Sequence, residues 1–350
     1  MRTTGQRIAV VAATAAALVA LLFVAVNAGS LHVGPVQLLR GLFVAYDDAV
    51  ATVYDLRFPR ICIALLGGAM TAVSGVLLQA AIRNPLADPG VIGISAGASL
   101  AAVVVMAAVP AWFFFTPAFA CAGGMAAFAL VYALSWRDGL SPLRIILVGV
   151  AVAAACQGVM AALDAGTGST LSGVASLVDA NITMKTWDDW WTLVAYGVPG
   201  LLLALAVAGR CDVLALDDKT ARGIGFDIDR NRLGVSAVAV LLASAATAII
   251  GPISFLGLVA PHIARIAVGE RHRVLIPYAM LLGAALLLAA DTVGRTVAAP
   301  YEISAAIIIV VVGVRYSSRC CGKQGDLCRI ACSPLRTYRS PTATARYSTG

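Results

Sequence analysis

The sequence predicts an all-α, polytopic membrane protein with about ten transmembrane helices and both termini cytoplasmic. Three observations lead there. The chain is 60% hydrophobic and only 12% charged, with a mean hydropathy of +0.90, more apolar surface than a soluble core of 350 residues could hide. Apolar stretches recur near residues 8–27, 60–81, 91–110, 113–135, 143–163, 190–209, 233–250, 253–268, 275–294 and 303–314. A helix needs roughly 20 apolar residues to cross a hydrocarbon layer roughly 30 Å thick, so most of the chain is spent on crossings. Basic residues, finally, are distributed unevenly between alternate connections. With the N-terminus inside, the inner connections hold thirteen (Arg2, Arg7, Arg83, Arg137, Arg144, Arg210, Lys219, Arg222, Arg230, Arg232, Arg265, Arg271, Arg273), and the outer ones hold five (Arg40, Arg57, Arg60, Lys185, Arg295). That satisfies the positive-inside rule.

The elements follow in chain order. Arg2 and Arg7 precede the apolar run Ile8–Val26, and Asn27-Ala28-Gly29-Ser30 follows it, superficially as in a cleavable signal sequence. The run is longer than the h-region of such a signal, so it is read as a retained first span. The second span opens on Arg57-Phe58-Pro59-Arg60, where Pro59 suits the first helical turn because its missing N–H would be unbonded there anyway. It stops sharply in Arg83-Asn84-Pro85-Leu86-Ala87-Asp88-Pro89. Gly93 and Gly97, four apart, offer a small-residue face for close helix packing. Trp187, Trp190 and Trp191 fall at the outer end of the sixth span, where an aromatic belt sits.

Cys211–Leu233 is the longest polar connection of the first 313 residues. Within it a short helix is expected, with Asp217 as N-cap, Gly225 at C′, and Ala221 and Ile224 on one face. Gly251-Pro252 breaks an apolar region; at membrane depth the freed backbone groups need protein or water around them, as in a bend beside a pathway or a packed core. Asp291, near the outer end of the ninth span, is expected to pair with Arg295. No internal repeat stands out, and connections 28–56 and 164–189 are too short for a soluble domain.

Several function classes fall away. There is no G-x-x-x-x-G-K-[ST] loop, no H-E-x-x-H and no paired intramembrane carboxylate, and the three histidines, His32, His262 and His272, lie in separate segments. The chain by itself is therefore not expected to hydrolyse ATP or to hold a metal or cofactor. The net charge of +7 invites a nucleic-acid partner, but +6 of it lies beyond Val314, where seven basic residues face one acid. Cys62, Cys121, Cys156 and Cys211 sit singly in apolar contexts and read as small buried hydrophobes. An ion-coupled secondary transporter remains the competing class; it needs an embedded carboxylate, and Asp291 is the obvious candidate.

Four blocks in order, R-F-P-R, R-N-P-L-A-D-P-G-V-I-G-I-S-A-G-A, G-P-I-S-F-L-G-L-V-A-P-H-I-A-R and A-D-T-V-G-R-T-V-A-A-P-Y-E-I, resemble the FecCD family of importer permeases, relatives of the cobalamin permease. The resemblance spans roughly residues 1–313. It implies ten spans per subunit in the bacterial inner (cytoplasmic) membrane and a homodimer, or a pair with a related second permease, around a central pathway. It further implies two cytoplasmic ABC ATPase subunits that bind ATP and Mg, and a periplasmic substrate-binding protein that delivers a chelate. An iron-siderophore is the first expected cargo, with haem and cobalamin behind it. By the same resemblance Arg57, Arg60 and Arg295 dock the binding protein. The segment Asp217, Asp218, Lys219, Thr220, Ala221, Arg222, Gly223, Ile224 and Gly225 is the coupling helix that meets the ATPase. Asn84, Pro85, Gly251, Pro252 and Gly257 mark the corners where rigid spans pivot or pack during alternating access. One departure stands out: where members often carry W-[LM]-x-G-S-L before the sixth span, this chain reads Ser176-Leu177-Val178-Asp179-Ala180-Asn181-Ile182-Thr183.

The permease domain is accordingly set at 1–313, and 314–350 is read as an out-of-frame, disordered tail. The tenth span stays apolar only to Val314, then turns basic and cysteine-rich through Cys320, Cys321, Cys328 and Cys332, a spacing that fits no common zinc pattern. Family members close this span with a G-[GA]-P-x-F-like turn and an apolar run. With Ser as TCN and Arg as CGN, regrouping the codons from Val314 by two bases puts T second in five of them, and every such codon encodes an apolar residue. With suitably chosen third bases, one G restored after the Gly313 codon gives Gly-Gly-Pro-Leu-Phe-Ile-Ala-Leu-Leu-Arg-Lys. Resequencing across the Gly313 codon is expected to recover that base or expose a single-base deletion; an intact frame with the same cysteine-rich tail in close relatives overturns the reading.

Overall fold

The computed structural model describes residues 4–28, 34, 37, 47–135, 142–166, 182–183, 185–297 and 301–322. The regular elements among them are all helical: α1 (Thr4–Asn27), α2 (Asp48–Leu56), α3 (Phe58–Ile82), α4 (Ile94–Ala108), α5 (Thr116–Ser135), α6 (Pro142–Gly166), α7 (Trp187–Leu214), α8 (Asp218–Gly223), α9 (Ile228–Ile250), α10 (Leu256–Val268), α11 (His272–Val297) and α12 (Ala305–Gly322). A 3-10 turn, Pro110–Phe115, joins α4 to α5. Residues 1–310 form one compact unit and 311–350 a second, of which the end of α12 is described. Segments 176–181 and 323–350, which carry the outer-mouth departure and most of the tail, lie outside the described residues.

Every one of the ten apolar stretches contains a helix. Seven are long and apolar enough to cross a membrane: α1, α2 with α3, α5, α6, α7, α9 and α11. The helices α4 and α10 are shorter, at 15 and 13 residues. Helix α12 runs on to Gly322, past the end of the apolar run at Val314; no Pro or Gly lies between 314 and 321 to stop it.

Helix α3 is the axis. It is apolar on all sides, and a helix of that kind belongs inside a bundle. It packs on α7, α9, α10 and α11. Lipid tails are as apolar as Leu, so close backbone approach supplies much of the attraction between such helices. Gly68 lies against the Gly283 carbonyl of α11, and Gly75 against the backbone of Gly257 in α10, with no room for a Cβ at either. Gly97 likewise meets Gly123 of α5. Gly93 does not share that face: it sits at φ 85 in the left-handed N-cap of α4, against the Gly149 carbonyl of α6. Helix α1 packs along one side of α11, with Ala25 and Val26 buried and the Thr14 and Tyr278 hydroxyls 3.0 Å apart, while most of its apolar run stays exposed.

Replacing Gly75 with Ala should cost about 1–3 kcal/mol through overpacking against Gly257. Gly158→Ala, which meets nothing, should leave stability unchanged or raised. Thermal midpoints of the two purified variants in detergent check the contrast.

Candidate functional site

Polar side chains gather at both ends of α3. At its start, Arg60 is buried and donates from Nε and Nη2 to Asp291 of α11, at 3.1 and 2.8 Å. Its Nη1 donates to both carboxylate oxygens of Glu302, at 3.2 and 3.0 Å. Arg295 places Nε 3.3 Å from the other oxygen of Asp291. Burial works against charge on Glu302, but the Thr183 hydroxyl, which donates at 2.6 Å, and the Arg60 guanidinium outweigh it and hold this carboxyl below the usual range. Arg57 donates to the Val26 carbonyl at 2.6 Å and Arg295 to that of Ala25 at 3.4 Å, so two guanidiniums serve the carbonyl end of α1, where cations are favoured.

The sequence expectation that Asp291 pairs with Arg295 holds, but the shorter pair is with Arg60, far away in sequence. The resemblance marks Arg57, Arg60 and Arg295 for docking, and all three have partners within the chain. Arg60 and Arg295 are turned inward, because a buried Asp291 without cations around it would carry a heavy desolvation cost.

At the other end of α3 stands the short helix α8. Asp217 occupies its N-cap position in extended conformation, without a side-chain cap bond. Gly225, at φ 77, takes the C′ position; its N–H reaches the Arg222 carbonyl and that of Phe226 the Ala221 carbonyl, a Schellman pattern. Ala221 and Ile224 do not share an outward face as expected. Ala221 is fully buried within the chain, whereas Ile224 projects outward, 65% exposed, with Leu216 half-exposed before it. The segment is anchored from two sides. Arg83 donates from Nε to the Leu214 carbonyl at 2.7 Å and from Nη2 to that of Leu216 at 2.6 Å. Asp212 accepts from the backbone N–H of His272 at 2.8 Å and lies 2.7 Å from its Nδ1, tying the end of α7 to the start of α11.

One turn before Arg83, the Gln79 amide donates to the Gly257 carbonyl at 3.2 Å and accepts from Arg265, so it spans both ends of α10. The two expected corners meet here. Asn84 closes the first with an Asx turn, its Oδ1 accepting from the Leu86 N–H at 3.0 Å. The second runs from Gly251, at φ 75, through Pro252 to Phe255, at φ 69. Asp88 joins them. It is fully buried; Gly90 donates to its Oδ2 at 3.0 Å, while Oδ1 lies against Gly257 without a hydrogen bond. Burial pushes its carboxyl up to about 6, against the opposing N–H groups of Gly90, Val91, Phe255 and Gly257. Asp88, Gln79 and Glu302 were missed as functional candidates in the sequence. The available signal was polarity inside otherwise apolar blocks. Among the described residues no cluster of His, Cys, Asp and Glu could hold a metal ion.

The chain matches the FecCD transport family over residues 17–316. It is 39% identical, over 85% of its length and 90% of the relative's, to proteins of Staphylococcus aureus strains MSSA476 and Newman named as heme-iron transport system permease protein IsdF. Among solved structures it resembles a transporter described as metal-chelate type ABC in an inward-facing conformation, with TM-score 0.73, 26% identity and coverage of 91% of this chain and 99% of that one. PsaBC from Streptococcus pneumoniae shares the fold at TM-score 0.53 and 12% identity, over 80% and 93% of the two chains. A family of ABC-transporter permeases is thus the class that helices and sequence define, and the chain belongs to the FecCD transport family. It is a transport subunit, not an enzyme.

Asp291→Asn should leave Arg60 with Glu302 alone and Arg295 without its carboxylate, and destabilise the protein by about 3–5 kcal/mol, as expected when one partner of a buried ion pair is removed. Combining it with Arg60→Met should cost less than the sum of the two single changes. A double-mutant cycle on detergent-solubilised protein measures the difference.

Proposed function

We propose that this chain is the membrane-spanning permease subunit of an ATP-driven importer that moves an iron chelate from periplasm to cytoplasm by alternating access. The observation that carries the reading is α8, a capped helix anchored by Arg83, presenting Ile224 and Leu216 outward beside an all-helical bundle of FecCD type. A short exposed helix fixed this way can enter a cleft on an ATPase. Ten helices cross the inner membrane with both termini cytoplasmic, α8 lies inside, and the Arg60 cluster lies outside; the asymmetry of basic residues supports that orientation. Two copies, or one copy and a related permease, enclose the pathway. Two ABC ATPase subunits bind ATP and Mg, and no cofactor sits in the permease. A periplasmic binding protein delivers the cargo, and its acids compete with Glu302 for Arg60 while Arg57 offers a further contact.

The 39% identity to heme-iron permeases supports haem beside ferric siderophores as cargo. The tail from Val314 onward is proposed to be out of frame, which the end of the family match at residue 316 supports.

The test is reconstitution of the permease with its ATPase and binding protein in liposomes. ATP-dependent uptake of haem or a ferric siderophore is expected, and uptake of neither overturns the cargo class. Ile224→Asp should reduce ATPase co-purification and uptake at least tenfold, on the order of 1.4 kcal/mol or more of lost contact. Wild-type assembly and uptake in that variant overturn the docking role of α8.

A further inference from the structure

We propose that the last turn of α3 transmits motion from the ATPase-facing segment to the broken-helix region, with Arg83 and Gln79 as its positioning residues. The inference rests on the reading that α8 docks an ATPase. Helix α7 ends at Leu214, so its last carbonyls lack intrahelical partners. One planar guanidinium satisfies both Leu214 and Leu216, and its donors form a rigid fork rather than a swivelling point charge. Leu216 immediately precedes Asp217, the N-cap of α8, so a displacement of α8 pulls directly on the carbonyl that Arg83 holds.

Arg83 itself sits at φ 54, a left-handed conformation uncommon for a side chain of this size. Such a conformation persists where its surroundings over-determine it. Gln79, four residues earlier on the same face, grips α10 at both ends through Gly257 and Arg265. One turn further into the bundle, Gly75 of α3 touches the backbone of Gly257, so the rod that carries Gln79 is also in direct contact with α10. A push at Leu216 therefore reaches α10 and the Gly251-Pro252 corner without passing through a flexible loop. Packed elements of this kind shift between discrete arrangements instead of deforming gradually.

The measurement is cargo taken up per ATP hydrolysed, made on the full complex in liposomes alongside ATPase co-purification. Arg83→Ala is expected to lower the ratio at least fivefold while the ATPase subunits still co-purify. Arg83→Lys should fall between, because one ammonium cannot hold both carbonyls. Gln79→Met, similar in shape but without the amide, should lower the ratio in the same direction, and it decides the matter by the same measurement if Arg83→Ala does not assemble in the membrane. Wild-type ratios in both Arg83→Ala and Gln79→Met overturn the proposal. So does loss of the ATPases from an inserted Arg83→Ala, which makes Arg83 a structural cap alone. The docking reading fails separately, when Ile224→Asp keeps both its ATPases and its ratio.

Discussion

Helix α3 is surrounded by protein along nearly its whole length, so every polar atom it carries must find its partner within the protein rather than in water or lipid. That constraint organises both ends of the chain. At the start of α3, the Arg60 guanidinium is brought inside only because Asp291 and Glu302 arrive from α11 and the connection beyond it. At the far end, the Gln79 amide is satisfied by a backbone carbonyl and an arginine of α10. Between them the helix carries Ala, Gly, Leu, Ile, Val, Cys62 and Met70, with Thr71 and Ser74 bonded to backbone carbonyls, the former within its own helix and the latter in α9.

Close backbone contact follows from the same constraint. Without a hydrophobic drive between helices in lipid, α3 holds its neighbours by close backbone approach, to α11 at Gly68 and to α10 at Gly75. The short helices α4 and α10 each follow an irregular connection, and the two connections meet at Asp88. A buried carboxylate at the N-terminus of α10 compensates some of the backbone donors that a broken helix leaves free. The break at Gly251-Pro252 is thus set in packed protein beside Asp88.

What the sequence revealed was local, and what it hid was remote. Apolar runs announce their own helices, and all ten coincide with one. The bounds of α8 were legible at Asp217 and Gly225 because caps and left-handed glycines act within a few residues. The burial of Ala221 was not, since it depends on packing against the rest of the chain. Gly93 and Gly97 look alike as a four-residue pair, yet one is a left-handed cap and the other a contact with α5. The pairing of Arg60 with Asp291 spans 231 positions, which no periodicity encodes, whereas the nearer Asp291–Arg295 pair, four residues apart on one helix, was readable.

The two ends of α3 also differ in how readily they can rearrange. The first is an ionic network of two acids and several arginines, and separating one partner there leaves a buried charge, a penalty of about 3–5 kcal/mol. The second is built of hydrogen bonds from side chains to backbone carbonyls, each worth about 0.5–1.5 kcal/mol net, or about 1.5–3 kcal/mol where the donor is charged, as for Arg83. Water can replace a carbonyl cap on Leu216, which lies at an exposed helix end, more easily than it can replace Asp291 beside Arg60. The ionic end is therefore the fixed one, and the Arg83 end is where α3 and its neighbours can shift together at lower cost.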